Sequence, residues 1–339
     1  MSPYRAPRWL KGGHAQTIWP AVGIRQSRPP YRRELWPTPD GGEVAVDFVD
    51  GPLDAPLVVL FHGLEGSSDS HYALSLMTML AEHGWRGAVP HFRGCGGVGN
   101  TLRRAYHAGD SAEVAWLLEK FAGLGQPLFA AGVSLGGNML LKYLGETGTD
   151  ALPLACAAVS VPVDLAAAST RLDVGFGRHV YTRLFLGTLK PKALSQLIHH
   201  PGLFDADGVR RARTFGEFDN LVTAPLHGYR DVRDYWTRAS SKPLLRHIAR
   251  PTLLLNAVND PFLPPDALPK PHEVSAAVRL EQPAEGGHVG FVTGSFPGRL
   301  DWLPERLIAF FEEQLAAGRH NDSPENHVRH PEQDSCHQA

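Results

Sequence analysis

The segment Gly132-Val133-Ser134-Leu135-Gly136 constrains this chain more than any other. An apolar run, Pro127-Leu128-Phe129-Ala130-Ala131, leads into it, and an amphipathic stretch from Asn138 to Gly145 leaves it. A serine therefore stands where a buried strand turns sharply into a helix. So tight a turn leaves no room for bulk two residues before or after the serine, and glycine meets that demand on both sides. With 35 glycines in the chain the bare pattern is cheap, so its surroundings must carry the meaning.

Those surroundings alternate between strand and helix signals. Residues 1–30, rich in Pro, Arg and aromatics, read as an irregular arm laid on the domain. Arg32 to Pro37 and Val44 to Val49 flank Thr38-Pro39-Asp40-Gly41-Gly42, which predicts a β-hairpin. Leu57 to Phe61 is a continuous apolar run, as expected of a strand buried on both faces. Ala73, Leu76, Met77 and Leu80 have helical spacing, and Trp85 to Pro90 reads as the next strand. Asp110-Ser111-Ala112-Glu113 resembles a capping box ahead of Val114, Leu117, Leu118 and Phe121 on one helical face. After the serine turn, Leu154 to Val161 is another apolar strand. This rhythm predicts an α/β fold with a doubly wound, mostly parallel sheet.

The rhythm breaks over residues 164–250, which lack any buried-strand signal and read as a helical lid inserted into the core. The core is thus expected in two parts, 31–163 and 251–317. Strands resume at Thr252 to Asn256 and Val278 to Glu281, and Leu303, Leu307, Phe311 and Leu315 mark a final helix. Residues 318–339 are polar and His-rich, too poor in apolar side chains to offset their ordering entropy, and are expected to be disordered.

Composition narrows the function classes. The 339 residues carry a formal charge of −2 and no basic-aromatic stripe, so nucleic acid is not an expected partner. Three cysteines without a C-x-x-C pair suit a reducing compartment, and Met1 to Gly13 lacks the apolar core of a secretory signal. A cytoplasmic location is the expectation. No apolar run is long enough for a spanning helix, although Tyr4, Trp9 and Trp19 leave room for peripheral membrane contact. Oligomeric state is not legible.

A serine hydroxyl needs a base to take its proton and an acid to orient that base. In a doubly wound sheet both follow the serine in the chain, in loops at the carboxyl ends of later strands. Asp260 follows the strand 252–256, and His288 follows the strand 278–281 in Glu285-Gly286-Gly287-His288-Val289-Gly290-Phe291. Asp266 shares the loop of Asp260 and is the competing acid; Glu285 stands too near His288 to orient it. Two backbone amides must hold the developing oxyanion. Leu135 is one candidate, and Leu64, in His62-Gly63-Leu64-Glu65-Gly66, is the other. His62 reads as a structural residue of that loop rather than a metal ligand. Phe92-Arg93-Gly94-Cys95-Gly96-Gly97 lacks a phosphate-loop lysine, so no nucleotide is expected, and Cys95 reads as packing. No cofactor or metal is implied.

Several further segments fall in order along residues 4–315: Gly13-His14-Ala15-Gln16-Thr17, His62 to Ser68, Phe92 to Gly96, Tyr106-His107-Ala108-Gly109-Asp110, Gly132 to Asn138, Lys142-Tyr143-Leu144-Gly145, and the Asp260 and His288 loops. With them the chain resembles the YheT-like and EMB8-like branch of the α/β-hydrolases, related to the ABHD lipid hydrolases. The resemblance implies a charge relay of Ser134, Asp260 and His288 acting on small-molecule carboxylic esters, lipid esters among them. His14 and Gln16 read as pins for the arm. An acyltransferase using the same triad, or a lipid-binding protein that keeps the fold, are the alternatives.

Overall fold

The protein is described here by a computed structural model, which covers residues 3–321. Eight strands form one sheet in the order β1-β2-β4-β3-β5-β6-β7-β8. They are β1 (Arg32–Pro37), β2 (Glu43–Val49), β3 (Leu57–Phe61), β4 (Arg86–Pro90), β5 (Leu128–Val133), β6 (Ala155–Val159), β7 (Thr252–Leu255) and β8 (Val278–Glu281). The first two make an antiparallel hairpin, β2 joins β4 antiparallel, and every later pairing is parallel.

Burial on both faces explains the apolar runs. In β3, Leu57, Val59 and Phe61 point into one core and Val58 and Leu60 into the other, the period-two alternation of a pleated strand. One face is covered by α3 (Ser111–Ala122) and α4 (Leu135–Thr147). The other is covered by α2 (His71–Glu82) and the last helix, Trp302–Asn321. That last helix enters the first residues of the segment expected to be disordered; 322–339 lie outside the described residues.

Two local readings need correction. The arm is not irregular throughout, because Gly13–Val22 forms a helix, α1. Its Gly and Pro20 hide the helix from propensity rules, and tertiary contacts of Gln16 and Ile18 hold it against the body. At Asp110 the cap is one-sided: Asp110 accepts from the Glu113 amide, but the Glu113 carboxylate accepts from Arg93 at 3.0 Å instead of returning to the helix start.

Between β6 and β7 the chain makes helices and turns only. They include α5 (Leu165–Leu172), a π-helical turn Arg178–Thr182 running into α6 (Arg183–His199), α7 (Ala206–Arg211) and α8 (Val232–Ala239). The last helix of the chain is α9 (Trp302–Asn321). No helix among the described residues is long and apolar enough to cross a membrane.

The direction in which the chain progresses across the sheet switches at β3. From it the chain steps to β4 on one side and then to β5 on the other. In open parallel sheets a crevice forms at the carboxyl ends of the strands flanking such a switch point. Here those ends are His62-Gly63-Leu64 and Ser134.

Phe129 shows how the two layers lock. It is fully buried, with Trp85 at 5.7 Å on one side and Phe311 of α9 at 4.9 Å on the other. Phe129→Ala is expected to cost about 3–5 kcal/mol by leaving a cavity between β5 and α9. Urea denaturation of the variant checks this, and an unchanged midpoint would contradict the packing.

Candidate active site

Ser134 sits at φ +53°, ψ −118°, the only residue between β5 and α4. A non-glycine residue in this region carries strain of about 1–3 kcal/mol, and the surrounding contacts impose it. Its amide donates to the Val159 carbonyl at 2.9 Å, and its carbonyl accepts from the Asn138 amide at 3.0 Å. The glycines are required by contact. A Cβ on Gly132 would lie 2.7 Å from the Gly136 carbonyl oxygen, and one on Gly136 would run into the Phe61 and His62 carbonyl oxygens. Helix α4 thus starts directly against the end of β3.

Asp260 and His288 meet. The His288 Nδ1–H donates to Asp260 Oδ2 at 2.8 Å, while Asp260 Oδ1 accepts from the Phe262 amide at 2.8 Å. The Asp260 side chain is 1% exposed; Asp266, its competitor, is exposed in the turn Pro265–Ala267. With Nδ1 donating, a neutral His288 presents Nε2 as an acceptor. Phe262 stacks on the imidazole at 3.9 Å and 17°. Phe262 also lines the cavity that contains Ser134.

The His288 loop is held from the arm. The Thr17 hydroxyl accepts from the His288 amide at 2.9 Å. Gln16 is completely buried; its Oε1 accepts from the Gly286 amide and from Asn259 Nδ2, and its Nε2 donates to the Leu10 carbonyl. Asn259 Oδ1 accepts from Gly287, so one amide pair joins the loops of Asp260 and His288. Gly287 has φ +61°, and a Cβ there would strike the Gln16 backbone. Glu285 is a partner of Gln16, not of His288. His14 points elsewhere, pairing with the Tyr181 hydroxyl of the inserted segment at 3.0 Å.

The loop after β3 is similarly tied down. His62 is fully buried, accepting from the Phe92 amide at Nε2 (3.1 Å) and so donating from Nδ1 to the Gly63 carbonyl (2.7 Å). The Gly63 amide donates to the Tyr72 hydroxyl at 2.8 Å, and the Glu65 amide to the Tyr106 hydroxyl at 3.0 Å. Between them the Leu64 amide has no protein acceptor among the described residues. The Leu135 amide is in the first turn of α4, where helical acceptors are lacking.

Leu64, Ser134 and Leu135 line one cavity of about 250 Å³. The rest of its wall is largely apolar; the segment between β6 and β7 contributes Leu165, Leu172, Phe185, Phe215 and Phe218 together with Lys192, and the loop after β4 contributes Tyr106 and its neighbours. Asn138, at 0% exposure, ties this assembly from below. Its Nδ2 donates to the Ala108 and Ala239 carbonyls, both at 2.8 Å, and its Oδ1 accepts from Ser241. Gln16 pins the arm as expected, whereas the roles of Thr17, Asn138, Asn259 and Phe262 escape analysis by sequence pattern, since each acts on residues remote in the chain.

Burial pushes the Cys95 thiol up to about 11, away from reactivity. Four histidines are held neutral by burial, with pKa lowered to about 3 at His62 and His227 and about 4 at His71 and His107. A depressed folded pKa means that the unfolded chain binds protons first. The stability carried by these neutral rings is complete above pH 6.5 and falls as pH drops from 6.5 toward 4. Urea midpoints are expected to be lower at pH 5 than at pH 7.5; equal midpoints would contradict the buried neutral state.

The profile of the alpha/beta hydrolase fold family matches residues 56–295. The chain is 40% identical over 323 residues to the YheT protein of Escherichia coli (strain K12), covering 91% of this chain and 93% of that protein. It is 33% identical over 309 residues to Phospholipase ABHD3 of Mus musculus, covering 86% and 74%. Among solved structures it resembles an esterase from Exiguobacterium antarcticum (TM-score 0.54, 18% identity, 83% of this chain and 100% of that one). It also resembles the esterase Pf2001 of Pyrococcus furiosus (TM-score 0.53, 18% identity, 87% and 99%).

Proposed function

The chain belongs to the alpha/beta hydrolase family, and on that footing we propose that it hydrolyses carboxylic esters through an acyl-enzyme on Ser134. The observation that carries this reading is the 2.8 Å pairing of His288 with the buried Asp260, in a chain whose strained serine turn opens on an apolar cavity. Hydrolase names among the relatives support the ester substrate. The apolar wall supports an acyl chain, of a short- to medium-chain or lipid ester, as the group bound.

In this mechanism Ser134 Oγ adds to the ester carbonyl carbon while His288 Nε2 takes its proton. Asp260 holds the opposite edge of the imidazole and stabilises its positive charge. The carbonyl π pair moves onto oxygen, where the Leu64 and Leu135 amides receive it. Collapse expels the alcohol, which takes its proton from His288. Water then repeats the sequence on the acyl-enzyme, with His288 as base, and releases the carboxylic acid. The burial of Asp260 keeps its oxygens for His288 and the Phe262 amide, so the ring is oriented before substrate arrives.

Labelling by a fluorophosphonate probe is expected in the wild type and absent in Ser134→Ala. Turnover of p-nitrophenyl esters should fall by at least about a thousandfold in His288→Ala and Asp260→Asn. Equal labelling of Ser134→Ala, or full activity in His288→Ala, would refute the assignment.

A further inference from the structure

At one point the inserted segment reaches the loop that carries Leu64. Lys192, on α6, extends its ammonium to 2.8 Å from the Glu65 carboxylate. Glu65 immediately follows Leu64 and lies at φ +56°, in the left-handed region that costs an L residue roughly 1–2 kcal/mol. Its side chain is only 8% exposed, so an unneutralised carboxylate there would be costly.

The Tyr106 hydroxyl meets both ends of the same residue. It accepts from the Glu65 amide at 3.0 Å and donates to Glu65 Oε1 at 2.7 Å. A hydroxyl has one proton. Commitment of that proton to the carboxylate turns a lone pair toward the amide, which fixes the peptide plane between Leu64 and Glu65. The plane that carries the Leu64 N–H is held from its other end, where the Gly63 carbonyl accepts from His62 and from the Gly66 amide; Tyr72 holds the plane before it through the Gly63 amide. One end of the Leu64 backbone is therefore held by the sheet, and the other by a carboxylate whose counter-charge comes from the insertion.

We propose that Lys192, Glu65 and Tyr106 are positioning residues through which the seating of α6 sets the oxyanion donor at Leu64. With Lys192 in place the carboxylate is neutralised and stays on Tyr106, so the carbonyl side of Leu64 is pinned and its Cα, with the amide attached to it, keeps one position at the cavity. With α6 lifted, the charged carboxylate is drawn to water and the left-handed residue loses its support. The insertion then does more than wall the cavity: its closure completes the hole that receives negative charge. The inference rests on the reading of Leu64 as an oxyanion donor.

Lys192→Met, Lys192→Arg, Glu65→Gln and Tyr106→Phe separate these roles in the full-length protein. In ester turnover, Lys192→Met and Glu65→Gln are expected to lose about 10- to 100-fold in kcat with KM within about twofold, less than full removal of an oxyanion donor costs. Lys192→Arg keeps the charge and should recover most of the loss. Affinity for a trifluoromethyl ketone, which Ser134 converts to a tetrahedral adduct, should weaken in parallel with kcat/KM; the matching methyl ketone should bind all variants alike. A change confined to KM, failure of Lys192→Arg to restore kcat, or undiminished trifluoromethyl ketone affinity in Lys192→Met would overturn the proposal. If instead the wild type bound the trifluoromethyl ketone no better than the methyl ketone, the oxyanion reading itself would fall.

Discussion

The close approach of α4 to the end of β3 is the contact on which the rest of the molecule depends. Gly136 lies so near the Phe61 and His62 carbonyls that no side chain fits between them. That approach forces the backbone of Ser134 into its strained conformation and brings the first turn of α4 beside the Leu64 loop. A helix set further out would relieve the strain, but it would also separate the Leu135 and Leu64 amides. The strain and the juxtaposition of donors are two consequences of one packing distance. The sheet can hold them because β3 and β5 are buried on both faces and paired in parallel along their length.

Around this contact, small polar side chains do the joining that apolar packing cannot. Asn138 links α4 to Ala108 and to the end of the insertion. Gln16 and Asn259 link the arm to the loops of Asp260 and His288. Asn138 and Gln16 are buried and Asn259 half-buried, each with its hydrogen bonds made, and such networks specify one arrangement because every alternative leaves polar groups unpaired. Aromatic contacts extend the frame outward, from His288 to Phe262, then Tyr181, then His14 of the arm. Arm and insertion therefore meet over the histidine.

Much of the frame was legible. Strands such as Leu57–Phe61 and helices such as His71–Glu82 announce themselves by local periodicity, because burial acts on every second or every third and fourth residue. The meeting of His288 with an acid from the loop after β7 follows from chain order in a parallel sheet. Helix α1 was hidden because its stability is tertiary, and the bond from Glu113 to Arg93 was hidden because a nearby capping role looked equally good. The roles of Gln16 and Thr17 on the His288 loop, some 270 residues away, leave no trace in a local pattern.

The sequence by itself determined the strands and helices of the core, the order of Ser134, Asp260 and His288, and the glycines that permit the turn. These depend on side-chain volume and spacing within a few residues, which the chain carries wherever it folds. Only the tertiary structure decided that Asp260 and not Asp266 meets the histidine, that the Leu64 amide is left between two tyrosine-capped neighbours, and that Lys192 reaches Glu65. Hydrogen-bond direction and ionic contact depend on distances of a few tenths of an ångström between distant segments, and the packing of the layers sets those distances.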